Sequence, residues 1–333
     1  MAEPTLTNPS IALPERLIQL RRILSIDGGG IKGVFPASFL ASIEDAVGGN
    51  IANYFDLIVG TSTGGIIALG LGMGLSAHEI LRFYEVHGPE IFGGNRSLRL
   101  LKSFFRAKYD VRPLKTALTE VFGDRRLGES TKRLVIPSLN VETGEVHVWK
   151  TSHHPRLERD YRCKAVEVAL STAAAPTFFP TYIADSGTPL IDGGMWANNP
   201  IAVAVVEAIG ILGWPADQIQ ILSLGCTTPP LDANWGRSHS LGKLGWANKI
   251  ADVFMVAQSF SANGMALHLV KDRLQIKRIS PSIASKRFAL DGAGEITSLK
   301  GLGDFEARKA LPEIREVFFK TPVENDFVPS YSL

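Results

Sequence analysis

Short, largely apolar runs alternate along this chain with longer stretches whose apolar residues recur every three or four positions. RILSI (22–26) has the β-branched, apolar make-up of a buried strand, and VFPASFLASIEDAV (34–47) spaces its apolar side chains as a helix does. The pattern repeats at once, with YFDLIVG (54–60) strand-like and GGIIALGLGMG (64–74) helix-like. Two strand–turn–helix units in succession predict a parallel or mixed sheet with helices on its faces. Further strands are predicted at 133–141, 145–150 and 219–225, with ETG as the hairpin turn between the first two. Helices are predicted at 76–87, 110–122, 164–174, 200–212, 250–271 and 304–319.

This alternation runs without a linker to about residue 225, which argues for a single core over 22–225. Residues 1–21, with three prolines and little periodicity, read as an N-terminal arm. Residues 226–333 read as a mostly helical part packed on the same domain. At 333 residues and 45% hydrophobic, the chain has material for a large buried core. Its net charge of +2 is too mild for a partner such as a nucleic-acid polymer. No basic region followed by an apolar one opens the chain, so a cytoplasmic site is expected. The longest apolar stretches are broken by Gly, polar side chains or Glu207, so no transmembrane helix is expected. Cys163 and Cys226 are too few for a disulfide scaffold and lack zinc-type spacing; both are expected to be buried and inert.

Candidate chemistry begins with GTSTG (60–64), which fits G-x-S-x-G between a predicted strand and a predicted helix. A sharp turn there strains the backbone of Ser62 and exposes its hydroxyl above the sheet, while Gly60 and Gly64 leave room for neighbouring chain and substrate. Ser62 is therefore the candidate nucleophile. IDGGGIKG (26–33) carries G-x-G-x-x-G at Gly28, Gly30 and Gly33. Asp27 would set a carboxylate beside a dinucleotide's pyrophosphate, and the next strand ends in GTSTGG rather than in an acidic residue for a ribose. Consecutive glycines suit an oxyanion hole better, because their N–H groups can converge on one point. Lys32 adds positive charge nearby, or faces solvent at a helix start. A third piece is DGG at 192–194, a common turn when it stands alone.

It does not stand alone. DGGGxxG, then G-x-S-x-G about thirty residues later, then AAPTFF and DGGMWANNP together resemble the patatin-like phospholipase family over residues 22–205. The resemblance implies an α/β class fold, a three-layer α/β/α sandwich with a mostly parallel central sheet. It implies a Ser–Asp dyad without histidine, in which Ser62 is the nucleophile, Asp192 the base, and Gly28, Gly29 and Gly30 the oxyanion loop. Gly33, Gly60, Gly64, Gly193 and Gly194 support these motifs. Lys32 stands where many members have arginine, which keeps the charge and loses the planar fork. The implied reaction is phospholipase A-type hydrolysis of membrane phospholipid acyl esters through an acyl-serine. Some bacterial stand-alone members are antiviral effectors switched on by cyclic nucleotides, so a cyclic-nucleotide activator is an expectation here. After about residue 225 no motif carries over.

RSLRLLKSFFRAKYD (96–110) interleaves Arg99, Lys102 and Arg106 with Phe104 and Phe105. It reads either as an edge that touches anionic bilayers peripherally or as an amphipathic segment packed on the core. Tandem His153 and His154 read as loop residues. No metal or cofactor is expected, since neither an EF-hand-like loop nor HExxH is present. Two other function classes stay open: an α/β-hydrolase esterase using His239 or His268 as base, and a non-enzymatic nucleotide-binding module on the glycine loop.

Overall fold

The runs most apolar in sequence build the parallel centre of a mixed sheet. The computed structural model describes residues 19–93, 107–227, 246, 250–270, 272–283, 288–324 and 326–333. Among them, eight strands form one sheet: β1 (Arg21–Ile26), β2 (Leu57–Gly60), β3 (Arg133–Asn140), β4 (Val146–Lys150), β5 (Tyr182–Ile183), β6 (Pro189–Asp192), β7 (Ile219–Leu224) and β8 (Ile276–Ile279). Their order is β5-β6-β3-β2-β1-β7-β8, with β4 also paired to β3. The β3–β2, β2–β1, β1–β7 and β7–β8 pairs are parallel, while β4 and β6 run antiparallel to β3 and β5 antiparallel to β6.

The helices are α1 (Val34–Val47), α2 (Thr63–Gly72), α3 (Ala77–Ile91), α4 (Val111–Phe122), α5 (Ala165–Thr172), the short α6 (Gly194–Ala197), α7 (Ile201–Val206), α8 (Ile250–Leu269) and α9 (Ile296–Phe318). Strand side chains alternate between faces, and the core divides accordingly. Leu24, Ile26, Ile58, Leu134, Ile136 and Leu222 pack under α1–α5 and α9, whereas Ile23, Leu57, Val59, Val135 and Ile221 pack under α7 and α8. This is the expected three-layer α/β/α architecture. Phe35 and Phe39 of α1 are wholly buried, and each such side chain stabilises the fold by about 1.5–3 kcal/mol.

Local chemistry sets several boundaries. The Ser76 side chain caps α3 and Glu79 returns the bond to the Ser76 N–H. Asp110 caps α4 by accepting from the Arg112 N–H at 2.9 Å. The predicted helix at 200–212 divides into α7 and a π-turn over Glu207–Ile211. There Glu207 is held by His153 and Lys150, so His153, a loop residue as expected, is a buried one. Strand β1 starts at Arg21, one residue inside the segment read as an arm; residues 1–18 lie outside the described residues. Helix α9 begins at Ile296, earlier than the predicted 304. Strands β5, β6 and β8 are absent from the sequence reading because two to four residues are too few to show a period. With β8 paired to β7, the C-terminal part extends the sheet as well as covering it.

The register places the functional loops. Ile26 pairs with both Gly60 and Leu224, so the glycine loop after β1 and the serine turn after β2 leave the same edge side by side. Parallel sheets bind ligands at this carboxyl edge. Antiparallel β6 sets Asp192 opposite Ser138 of β3.

Candidate active site

Ser62 has φ 56° and ψ −121°, a strained conformation for a residue with a side chain. Three bonds impose it. The Ser62 N–H donates to Thr172 Oγ1 at 3.0 Å, Thr172 Oγ1 donates to the Pro137 carbonyl at 2.6 Å, and Thr61 Oγ1 donates to the Ala197 carbonyl at 2.6 Å. Gly64 makes the tight turn possible, because a Cβ there would meet the Ile26 carbonyl oxygen at 2.3 Å. Gly60 closes β2 and Gly33 faces Thr63 across the turn. The first helical turn of α2 thus begins directly after the serine, with the positive end of its dipole beside the hydroxyl.

The Ser62 hydroxyl donates to Asp192 Oδ2 at 2.6 Å, and the Gly194 N–H donates to Asp192 Oδ1 at 2.6 Å. Gly193 packs on the Pro137 carbonyl and Gly194 opens α6. Burial pushes the Asp192 carboxyl up to about 6, against the pull of its bonds from Ser62 and Gly194. The carboxylate is thereby a better proton acceptor than an exposed aspartate, while remaining ionised near neutral pH.

The glycine loop divides its N–H groups between structure and cavity. Gly28 N–H donates to the Asn198 carbonyl and Ile31 N–H to the Leu290 carbonyl, both at 2.9 Å. Those of Gly29 and Gly30 have no acceptor among the described residues, and both glycines line the cavity that Ser62 and Asp192 border. Of the three glycines expected in the oxyanion loop, Gly28 therefore has its N–H already engaged. Gly30 has φ +57°, and a Cβ on it would lie 2.3 Å from the Leu290 carbonyl oxygen. Lys32 does not face solvent. It is buried, and its ammonium donates to the Thr227 carbonyl at 3.0 Å.

The cavity itself is about 380 Å³, within the usual range for a small-molecule site. Ile66, Phe83, Ile91, Leu114, Phe178 and Met255 give it an apolar wall, with Ser62, Asp192 and the two glycines at the polar end. Tyr84 on the wall donates to the Thr63 carbonyl at 3.0 Å and so accepts from the Thr63 hydroxyl at 2.5 Å. Sequence reasoning missed Tyr84, Thr172, Asn198, Arg278 and Leu290, which hold the turn and the glycine loop. Only Asn198 had a signal, as part of ANNP. Its N–H and the side chain of Asn199 anchor on Gln258, Ser259 and Asn263 of α8.

No histidine lines the cavity among the described residues. His268 is exposed at the end of α8, and His239 lies outside the described residues. So do Arg99, Lys102, Phe104, Phe105 and Arg106. No cluster of His, Cys, Asp and Glu able to hold a metal occurs among the described residues. None of the described helices is long and apolar enough to cross a membrane. Burial pushes the Cys226 and Cys163 thiols up to about 12, although Cys163 is only half-buried.

Residues 24–205 match the model of the family described as patatin-like phospholipase. The chain belongs to the patatin-like phospholipase family. Three relatives, each named cGAMP-activated phospholipase, are similar to it over most of both chains. The protein of Pseudomonas aeruginosa is 37% identical over 87% of this chain and 88% of its own. That of Vibrio cholerae is 31% identical over 92% and 97%, and that of Escherichia coli 32% identical over 84% and 86%. Patatin-like membership makes this chain a lipid acyl hydrolase, a serine hydrolase acting on carboxylic esters.

Proposed function

We propose that this patatin-like chain is a phospholipase of the A type that cleaves membrane phospholipids through an acyl-serine on Ser62, with Asp192 as its base. The observation that carries this reading is the 2.6 Å bond from the Ser62 hydroxyl to Asp192, at the polar end of an apolar cavity. As Ser62 Oγ bonds to the acyl carbon, its proton passes to Asp192 Oδ2 and then leaves with the alcohol, the lysophospholipid. Water next attacks the acyl-serine, gives a proton to Asp192, and the fatty acid departs as Ser62 regains its hydrogen. The Gly29 and Gly30 N–H groups meet the carbonyl oxygen as it becomes negative in both halves.

In the same reading a cyclic nucleotide switches the enzyme on, as the names of the three bacterial relatives say of those proteins, and the role is antiviral defence. The enzyme works in the cytoplasm, in keeping with two unpaired cysteines, and touches the bilayer peripherally. Exposed Ile250 and Phe254 of α8 neighbour Ala251 and Met255, which line the cavity, and exposed Met195 lines it too. An apolar rim at the cavity suits extraction of an acyl chain from a membrane.

The test is mass spectrometry of lipids released from mixed phospholipid vesicles, with and without cGAMP, by the parent and by Ser62→Ala. The expected result is free fatty acid and lysophospholipid from the activated parent only. Fluorophosphonate labelling should add one adduct to the parent and none to Ser62→Ala; equal labelling of both removes the nucleophile assignment.

A further inference from the structure

The residue that precedes the glycine loop is bound by a residue far outside the family-matched stretch. Asp27, the residue before Gly28, is buried, and its carboxylate is gripped by both arms of the Arg278 guanidinium: Nη1 donates to Oδ1 at 3.1 Å and Nη2 to Oδ2 at 2.6 Å. Arg278 lies on β8, and the family match ends at residue 205. The same guanidinium donates to Ser223 Oγ on β7 at 2.7 Å and to Ser259 Oγ on α8 at 3.3 Å. Ser259 in turn accepts from the Asn199 side chain through its Oγ, at 3.2 Å, and its carbonyl, at 3.3 Å. One planar cation therefore ties the start of the glycine loop to β7 and α8 at once, and through Ser259 it shares a support with the segment that follows Asp192, which a lysine could not do with one point charge.

We propose that Arg278 is a positioning residue for the oxyanion loop: by holding and neutralising Asp27 it keeps the Gly29 and Gly30 N–H groups aimed into the cavity. Two physical reasons support this. The backbone of Asp27 continues directly into the loop, so its side chain sets the direction in which Gly28 leaves β1. In addition, an unneutralised carboxylate beside the loop would oppose the negative charge that develops on the substrate oxygen, and the ion pair cancels that field. Lys32 adds cationic charge at the loop, but its ammonium is bonded to Thr227. It is Arg278 that faces the carboxylate squarely.

The kinetic part of the test rests on the hydrolase reading; the exchange part does not. For Arg278→Gln, fluorophosphonate labelling of Ser62 should slow by about 10²-fold, with the pH midpoint of labelling unchanged because Asp192 keeps its surroundings. Hydrogen exchange of the peptide spanning residues 24–36 should accelerate. Arg278→Lys should fall between the parent and Arg278→Gln. Removing one partner of a buried pair destabilises strongly, so Asp27→Asn/Arg278→Gln provides a variant with no orphaned charge. It should recover melting temperature over Arg278→Gln but stay well below the parent in labelling rate. Unchanged exchange in 24–36 overturns the proposal, and labelling within about three-fold of the parent in that folded double variant overturns the positioning role, because it leaves Arg278 with charge cancellation alone. If the parent itself resists labelling, the hydrolase reading fails, and exchange alone decides the loop assignment.

Discussion

Ser62 and Asp192, 130 residues apart in sequence, share a 2.6 Å hydrogen bond in which the hydroxyl donates to Oδ2. The acceptor oxygen is buried and the neighbouring oxygen is already occupied by the Gly194 N–H. That division leaves Oδ2 as the oxygen that would take the Ser62 proton in the proposed reaction.

Turnover should follow the ionisation of Asp192. Since burial pushes its carboxyl up to about 6, the base is protonated below that pH and free above it. The expected kcat/KM for a soluble short-chain ester therefore rises through a midpoint near 6 and levels off. Asp192→Asn should lower the rate by about 10²–10⁴-fold across the range, whereas His268→Gln should leave it within a few-fold. A His268→Gln variant as inactive as Ser62→Ala, yet folded by circular dichroism, defeats the dyad.

Asp192 should also cost stability at neutral pH. Its folded value lies above the unfolded one, so the folded state binds the extra proton, and the stabilisation present below about pH 4 is lost as pH rises through about 6. Two pKa units correspond to about 3 kcal/mol. Asp192→Asn should therefore melt several degrees higher than the parent at pH 8, with the gain shrinking towards pH 4. Equal melting temperatures at both pH values contradict this.

Gly30→Ala should separate loop geometry from folding. The substitution puts a Cβ at φ +57° and 2.3 Å from the Leu290 carbonyl oxygen, so the loop must shift. Labelling should fall by about 10²-fold or more. Gly48→Ala is the matched control: it imposes the same kind of backbone strain at φ +75° with nothing within 4 Å, so it should cost stability alone.

Acyl-chain preference should respond to the cavity wall. Ala175 lines the cavity, and Ala175→Leu adds volume where a long chain would lie. Vesicles or micelles of long-chain substrate should be cleaved more slowly relative to short-chain esters, read as a ratio of kcat/KM values. An unchanged ratio places the acyl chain elsewhere.

The parallel centre of the sheet, α1, α2 and the serine turn were legible from residues alone, because burial on both faces leaves uniform apolar runs and helices repeat their own period. GTSTG, DGGG and DGG carry their chemistry in consecutive letters, which a sequence displays directly. What only the tertiary structure decided is spatial. That Asp192 reaches Ser62 depends on β6, a four-residue antiparallel strand too short to announce itself. That Gly28 gives its N–H to Asn198 while those of Gly29 and Gly30 meet no acceptor among the described residues depends on where two distant loops meet. Arg278 had no local signal at all, since IKRI is too short and too charged to stand out as a strand, and its partner Asp27 stands 251 positions away. Periodicity reports the environment of one element, whereas a hydrogen bond between side chains far apart in sequence exists only once packing has brought their elements together.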